Sequence, residues 1–166
     1  MNVLMVSSDA EILREGSASW ERHRAYAGLF EELHIIVFTK RSKIQNPKSE
    51  TNLNIKIQIS KNAWVYPLNT STKVGVFLKT IHLGKKIISS VSSFKFQVSR
   101  WVVTAQNPFE LGLIAWIISR LTGARLHLQI HTDFLSPYFA RHSLRNRFRT
   151  LLARFLLPPS QKVSAI

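Results

Sequence analysis

Three apolar segments of the chain, residues 3–6, 101–104 and 126–130, each run into polar side chains. The polar side chains that follow them are Ser7, Ser8 and Asp9, then Gln106 and Asn107, then His131, Thr132 and Asp133. In open α/β sheets, ligands bind at the carboxyl ends of the parallel strands. If the three segments are parallel strands, their polar groups line one edge of the sheet, and we expect the binding site there.

His131 is the strongest candidate for chemistry at this edge. Its position at the end of a strand allows a functional role and, with equal weight, a histidine that is hydrogen-bonded for packing alone. His127 shares its strand face, but four residues of strand separate the two by about 13 Å, too far for one metal ion. His131 and Asp133 could reach one ion, yet two ligands without a third are a weak case. We therefore expect no metal site.

Two acidic side chains accompany His131. Asp133 could act as a general base or bind sugar hydroxyls, but capping the next turn is the commonest role of an aspartate after a strand. Glu110 follows Asn107 and Pro108 in a pattern typical of a helix start, where Asn107 would cap and Glu110 would be the capping-box acid. Contact with a ligand is the lesser alternative for Glu110.

A glycine and a serine precede the first predicted helix. Backbone amides at the start of a helix can hold phosphate, which makes Gly16 and Ser17 candidate anion contacts. The three-glycine dinucleotide fingerprint and the Walker pattern are both absent from the sequence. No Gly-x-Ser-x-Gly elbow occurs either. NAD binding, nucleotide hydrolysis and serine hydrolysis are therefore disfavoured.

Composition is that of one globular domain with a strong basic excess. The 166 residues include no cysteine, and 23 Lys and Arg against 9 Asp and Glu leave a net charge of +14. Such a field favours nucleic acid, anionic lipid or phosphorylated small molecules. No segment approaches the roughly 20 apolar residues that span a bilayer, and no secretory signal is evident. We expect a cytoplasmic protein.

Strands alternate with helices along the chain, which predicts an α/β fold with a Rossmann-like, doubly wound, mostly parallel sheet. Strands are predicted at 2–6, 33–38, 55–60, 64–66, 101–105 and 126–130, the third possibly at an edge and the fourth stopped by Pro67. Helices are predicted to begin near Ser17 and to cover 72–89, 107–122 and 143–157. The segments 39–54 and 89–99 are predicted to be connections.

Apolar periodicity also predicts which helix faces are buried. The inward stripe of the first helix is predicted to be Tyr26, Leu29, Phe30 and Leu33. In the second helix, Gly84 indicates close packing. The last helix is predicted to bury Leu144, Phe148, Leu151, Leu152 and Phe155 and to expose Arg145, Arg149 and Arg154. That arginine-rich helix is typical either of a surface that binds anionic lipid or of a sheet-covering helix with a solvated basic face.

Together these segments resemble the amino-terminal domain of family 4 glycosyltransferases, which are retaining, hexosyltransferase-like enzymes of GT-B fold that use nucleotide sugars. The resemblance covers residues 1–158, and its most telling pieces are residues 15–38, 104–112 and 128–134. It implies that His131 lies beside the transferred sugar as the catalytic residue. It also implies that the Gly16 loop lies near the donor diphosphate, with Ser17, Asp9, Glu110 and Asp133 as further substrate contacts.

The resemblance implies a nucleotide-sugar co-substrate, a glycan or lipid-linked acceptor, and neither a protein nucleophile nor a cofactor or metal. Family members often carry two glycines in the first loop, whereas this chain has only Gly16. The family's second domain, which holds the donor, has no counterpart in residues 159–166, which we interpret as a truncated tail. We expect no transfer by this chain alone and a peripheral location at the inner face of the cell membrane. The alternative is a non-enzymatic basic α/β module that binds nucleic acid or a protein partner.

Overall fold

The computed structural model describes residues 1–38, 56–68, 72–91, 98 and 100–165. Within them, seven strands form one sheet in the order β3-β4-β2-β1-β5-β6-β7. The strands are β1 (Asn2–Ser7), β2 (Glu32–Phe38), β3 (Ile57–Ser60), β4 (Ala63–Leu68), β5 (Trp101–Ala105), β6 (Arg125–Ile130) and β7 (Lys162–Ala165). The helices are α1 (Ala18–Ala27), α2 (Lys73–Val91), α3 (Glu110–Thr122), α4 (Pro137–His142) and α5 (Leu144–Leu156), with a 3-10 turn at Ala10–Leu13.

All neighbouring strands of the sheet are parallel except β3 and β4, which are antiparallel. The predicted α/β class with a mostly parallel sheet is therefore confirmed, as is the edge position of β3 within the described residues. From β1 the chain first builds outward through β2 and β4, and later returns to the other side of β1 with β5. The two directions of winding meet between β1 and β5.

Both faces of the sheet are covered by apolar packing in its centre. Alternate residues of β1 point to opposite faces, so Leu4 and Val6 join the cluster that includes Ile114 of α3, while Val3 and Met5 join the cluster that includes Trp20 of α1. This double burial explains why β1 and β2 are continuous apolar runs.

The predicted inward stripe of the first helix was wrong. Helix α1 ends at Ala27, and its buried side chains are Ser19, Trp20, His23 and Ala27, while Tyr26 and Leu29 are exposed. The other two predicted residues lie beyond the helix: Phe30 is half-buried and Leu33 is buried as part of β2. The ring of His23 bonds the carbonyl oxygen of Ser19 at 2.8 Å, which satisfies a polar group inside the protein. Hydropathy counts such a histidine as an outward residue, so periodicity selected the wrong face.

Two strand predictions also need correction. Pro67 does not stop the fourth strand, because β4 continues to Leu68 and Pro67 pairs with Val37 of β2. On the opposite side of β4, pairing with β3 ends at Val65, so the missing amide of Pro67 removes no ladder bond among the described residues. In addition, β7 pairs with β6 in parallel although no strand was predicted within 159–166. The predicted connection at 39–54 and the strand residue Ile55 lie outside the described residues.

The predicted orientation of the last helix was wrong for most residues: of the five predicted inward residues only Leu152 packs against the core, while Arg145 and Arg154 are exposed as predicted. Its buried residues are Thr150, Ala153 and Leu156, whereas Leu144, Phe148, Leu151 and Phe155 are exposed. Arg149 turns inward: its guanidinium lies 5.2 Å from the ring centroid of Phe109 and pairs with Glu110. The helix therefore packs inward through Thr150, Ala153 and Leu156 and through one paired arginine.

The close packing predicted at Gly84 is confirmed. A Cβ at this position of α2 would lie 2.6 Å from Cδ1 of Ile118 on α3 and 3.1 Å from Cδ2 of Leu4 on β1. Both neighbours are fully buried. Glycine thus lets α2 approach both α3 and the sheet.

Candidate functional site

The carboxyl ends of β1, β5 and β6 lie at one edge of the sheet, as the sequence predicted. The three strands are adjacent and parallel. Neighbouring strands are about 4.8 Å apart, so the loops after β1 and β6 are separated by roughly 10 Å across the end of β5. The change in winding direction falls between β1 and β5, which is the place where open α/β sheets bind ligands.

A side-chain hydrogen bond closes the gap between β1 and β5. The hydroxyl of Ser7 donates to Oε1 of Gln106 at 2.7 Å and accepts from the amide of Asp9 at 3.0 Å. Ser7 is only 1% exposed. The sequence placed both side chains at this edge, but their mutual bond depends on the register between the two strands. This bond fixes the start of the loop that leads to α1.

Asp9 is held by that loop. Its Oδ1 accepts from the amide of Glu11 at 3.1 Å, and its Oδ2 accepts from the hydroxyl of Ser19 at 2.6 Å. The guanidinium of Arg22 lies 3.6 Å from the same Oδ2. Asp9 therefore ties the 3-10 turn to α1. Its predicted contact with substrate stays a prediction.

Ser17 caps α1 at the predicted start of the helix. Its hydroxyl accepts from the amide of Trp20 at 3.0 Å and donates to the carbonyl oxygen of Glu11 at 2.7 Å, so the side chain is fully engaged. Gly16, just before it, has a φ of +75°, and no atom lies within 4 Å of where its Cβ would be. The left-handed conformation favours glycine, and the backbone there is open to an approaching ligand.

Exposed arginines surround the start of α1. Arg14 pairs with Glu11 at 3.0 Å with its side chain 64% exposed, and Arg22 is 54% exposed. Helix N-terminal amides and nearby guanidinium groups are both favourable partners for phosphate oxygens. The glycine and serine of this loop were predicted as contacts but the two arginines were not, because isolated arginines carry no spacing signal.

His131 and Asp133 lie exposed at the end of β6. Nε2 of His131 is 3.4 Å from Oε1 of Gln129, which leaves the other ring nitrogen without a described partner. Oδ1 of Asp133 accepts from the amide of Ser136 at 3.2 Å, which is the turn-capping role that was the commonest expectation. The catalytic role of His131 stays a prediction.

Glu110 is the first residue of α3 rather than a capping-box acid. Asn107 accepts from the amide of Phe109 at 3.0 Å, but the helix begins only after Phe109. The predicted capping box was therefore wrong, because it required a helix start at Pro108. Arg149 donates through Nε and a terminal nitrogen to Glu110 at 3.0 and 2.9 Å.

The charge state of Glu110 follows from these contacts. Burial raises the pKa of its carboxyl group, but the hydrogen bonds from Arg149 and Arg145 outweigh burial and leave the pKa below its usual value. The carboxylate is ionised at neutral pH and joins α3 to α5. Its contact with a substrate stays a prediction, and its observed partners are arginines.

A cleft of about 540 Å³ opens beside the end of β6. It is lined by Thr132, Asp133, Ser136, Tyr138, Phe139, His142 and Asn146. Aromatic rings next to hydroxyl, amide and carboxylate groups can pack on and hydrogen-bond a polyhydroxylated ligand. Of the predicted site residues only Asp133 lines this cleft. The others in the lining, apart from Thr132, come from α4, α5 and the turn before them, whose arrangement no local pattern predicts.

His127 lies within β6, three residues before the end of the strand, and both of its ring nitrogens are within hydrogen-bond distance of hydroxyl groups. Nδ1 is 3.1 Å from the hydroxyl of Thr104, and Nε2 is 3.0 Å from the hydroxyl of Ser164. Burial, with a smaller contribution from Lys162, lowers its pKa. Across the part of the chain that the structure describes, no group of three His, Cys, Asp or Glu could hold a metal ion. That no metal or cofactor is needed stays a prediction.

Comparison with known proteins finds no family model that matches this chain. It also finds no match among curated proteins. The described helices include none that is long and apolar enough to cross a membrane.

Proposed function

We propose that this chain is the acceptor-side domain of a retaining glycosyltransferase that uses a nucleotide sugar. The single observation that carries the proposal is that the loop containing Gly16 follows β1 and His131 follows β6 at one sheet edge, on either side of the change in winding direction. The carboxyl ends of these two strands are roughly 10 Å apart, a span that suits a ligand with a phosphate group at one end and a sugar ring at the other.

Each end of the proposed ligand would meet suitable chemistry. The diphosphate would lie at the open backbone around Gly16 with Arg14 nearby, where positive charge stabilises the leaving group. The sugar would lie against His131, and the acceptor would enter the cleft lined by Asp133 and Tyr138.

In the proposed reaction, the bond between the anomeric carbon and the diphosphate oxygen breaks. A new bond forms from the same face of the sugar to an acceptor hydroxyl oxygen, whose proton passes to the departing diphosphate. No protein nucleophile and no metal are required, so His131 would orient the sugar and stabilise charge rather than form a covalent bond. The donor nucleotide would be held by a second domain, in the same polypeptide or in a separate one.

Transfer of radiolabelled sugar from a panel of nucleotide sugars tests this proposal. The 166-residue chain is compared with a version extended through the downstream coding sequence. We expect transfer by the extended protein only, and a loss of about 100-fold for His131→Ala, comparable to removal of one stabilising group at a transition state. The matched control is His82→Ala, an exposed histidine on α2, which should leave transfer unchanged.

Two results would contradict the proposal. Transfer by the 166-residue chain alone would show that the donor site has been misplaced. Full activity of His131→Ala in a folded extended protein would remove His131 from the site.

The alternative, a non-enzymatic module that binds nucleic acid or a protein partner, rests on the net charge of +14. A gel shift with duplex and single-stranded DNA separates the two proposals. Tight binding at physiological salt favours the module, whereas binding that disappears between about 50 and 200 mM salt reflects non-specific attraction.

A further inference from the structure

The outward face of α5 is apolar. Leu144, Phe148, Leu151 and Phe155 are 79%, 62%, 66% and 56% exposed. Their spacing of four, seven and eleven residues from Leu144 places them within an arc of about 60° on a helix of 3.6 residues per turn. A contiguous stripe of large apolar side chains on a surface marks an interaction site, because leaving it in water is costly.

The residues that do pack inward lie on the other face of the helix. Thr150, Ala153 and Leu156 are buried against the protein, Leu152 packs at the edge of the core, and Arg149 is held by Glu110. The apolar stripe is therefore not the face that holds α5 in the fold. Its residues are available to bind a partner outside this fold. Phe155 also makes one edge-to-face contact with Trp116, at 5.4 Å between ring centroids.

Arginines flank this stripe on both sides. Arg147 and Arg154 are exposed on one flank, and Arg145 on the other has a side chain that is 69% exposed. No acidic residue follows Asp133 in the sequence. Among the described contacts, the carboxylate that meets α5 is Glu110, and its strongest bonds go to Arg149 rather than to the outer arginines.

We propose that α5 docks this protein on the surface of an anionic lipid membrane. Its apolar stripe would enter the boundary between headgroups and acyl chains, while the flanking arginines would bind lipid phosphates. A second copy of the chain fits less well, because pairing two such faces would bring like charges together. Nucleic acid would use the arginines but would leave the large apolar side chains in water.

The segment before α5 extends the same chemistry. Tyr138 of α4 is 80% exposed, and Leu135 before it is 62% exposed. Tyrosine is enriched where protein meets the membrane–water boundary. Membrane docking rests on α4 and α5 alone and does not depend on the proposed sugar transfer, so each can fail without the other.

Co-sedimentation of the whole chain with lipid vesicles tests the proposal. We expect binding to phosphatidylcholine vesicles that contain about 30% phosphatidylglycerol, and at least tenfold weaker binding to pure phosphatidylcholine, because anionic lipid attracts basic residues near its surface. Leu144→Ser with Leu151→Ser should weaken binding at least tenfold. Arg147→Gln with Arg154→Gln should do the same and should reduce the salt dependence.

Matched variants on α2 test whether vesicle binding is specific to the outward face of α5 or arises from any exposed apolar or basic side chains. Val74 and Leu78 are 69% and 60% exposed, so Val74→Ser with Leu78→Ser removes a similar apolar pair elsewhere. Lys85→Gln with Lys86→Gln removes two exposed charges from the same helix. Both pairs should bind vesicles as the unchanged protein does, and circular dichroism checks that every variant is folded.

Three outcomes would overturn the proposal: no binding to the anionic vesicles, equal loss with the α2 variants, or vesicle binding that the α5 variants leave intact. Self-association that disappears in Leu144→Ser with Leu151→Ser, without vesicle binding, would assign the face to a second copy. Retained DNA binding at physiological salt that requires Arg147 and Arg154, again without vesicle binding, would assign it to nucleic acid.

Discussion

His34 of β2 is buried in hydrogen-bonded surroundings that favour its neutral ring. For His34, Nδ1 accepts from the hydroxyl of Tyr66 and Nε2 donates to Glu32, each at 2.9 Å, while the ring stacks on Trp64. Burial raises the pKa of Tyr66 to about 12, with the charge of Glu32 adding to it, so the phenol remains a donor. Burial also lowers the pKa of His34, against the opposing effect of Glu32.

Acidification should therefore destabilise the protein before its carboxylates titrate. Burial lowers the folded-state pKa of His23, His34 and His127 below the usual 6.5, so the unfolded chain binds more protons below that pH. Their contribution is fully present above pH 6.5 and is lost as the pH falls below it. We expect the free energy of unfolding, measured by urea denaturation, to fall between about pH 7.5 and 5.5.

Replacing His127 by glutamine tests how much this histidine contributes to the loss of stability at low pH. Its amide can replace the bonds to Thr104 and Ser164, so His127→Gln should remain folded and show a shallower loss of stability with acid. His82→Gln, at an exposed position on α2, controls for the substitution itself. The same pH slope in both variants would contradict the role given to His127.

At the scale of elements, the approach of α3 to the sheet depends on a glycine. A Cβ at Gly112 would lie 2.9 Å from the carbonyl oxygen of Asn107 and 3.4 Å from side-chain atoms of Leu128 and Leu156. Because the nearest atom belongs to the backbone, it cannot move aside by a simple rotation. Gly112 also lies in the first turn of α3, two residues after Glu110.

Gly112→Ala should destabilise the fold by about 1 kcal/mol, because overpacking of about 2 kcal/mol exceeds the gain of about 1 kcal/mol in helix propensity. Urea denaturation measures the change. Gly28→Ala is the control: Gly28 is exposed at the end of α1 with ordinary helical geometry, and its nearest contact would be 3.4 Å. Equal or greater stability of Gly112→Ala would show that α3 can withdraw from Asn107.

At the scale of the whole molecule, the charge excess opposes compactness. A net charge of +14 on 166 residues repels itself more strongly in the folded state than in the expanded chain. Salt screens this repulsion, with a Debye length that falls to about 8 Å near 0.15 M ionic strength.

The thermal midpoint should therefore rise as sodium chloride increases from about 10 to 150 mM, because screening relieves the repulsion. Differential scanning calorimetry without lipid measures it, and an uncharged osmolyte at matched osmolality controls for general solvent effects. A midpoint that stays level or falls would mean that attractive pairs such as Glu110 with Arg149 outweigh the net repulsion.

Local patterns in the sequence were sufficient for much of this fold. Apolar runs predicted β1, β2, β5 and β6, because residue type along the chain indicates a buried strand. The polar side chains at the strand ends predicted a common edge, because parallel strands end on the same side of the sheet. The start of α1 at Ser17 and the close approach at Gly84 also follow from short-range chemistry. The expected roles of His131 and Gly16 remain proposals.

Only the tertiary structure decided which helix faces are buried and which polar groups meet. Arg149 turns inward because Glu110 lies opposite it on another helix, and Asp9 is engaged because Ser19 comes within 2.6 Å. The apolar stripe of α5 faces outward because the opposite face of the helix, with Thr150, Ala153 and Leu156, packs on the protein. Such partners are distant in sequence, so periodicity, which sees only neighbours along the chain, cannot distinguish a core face from a docking face.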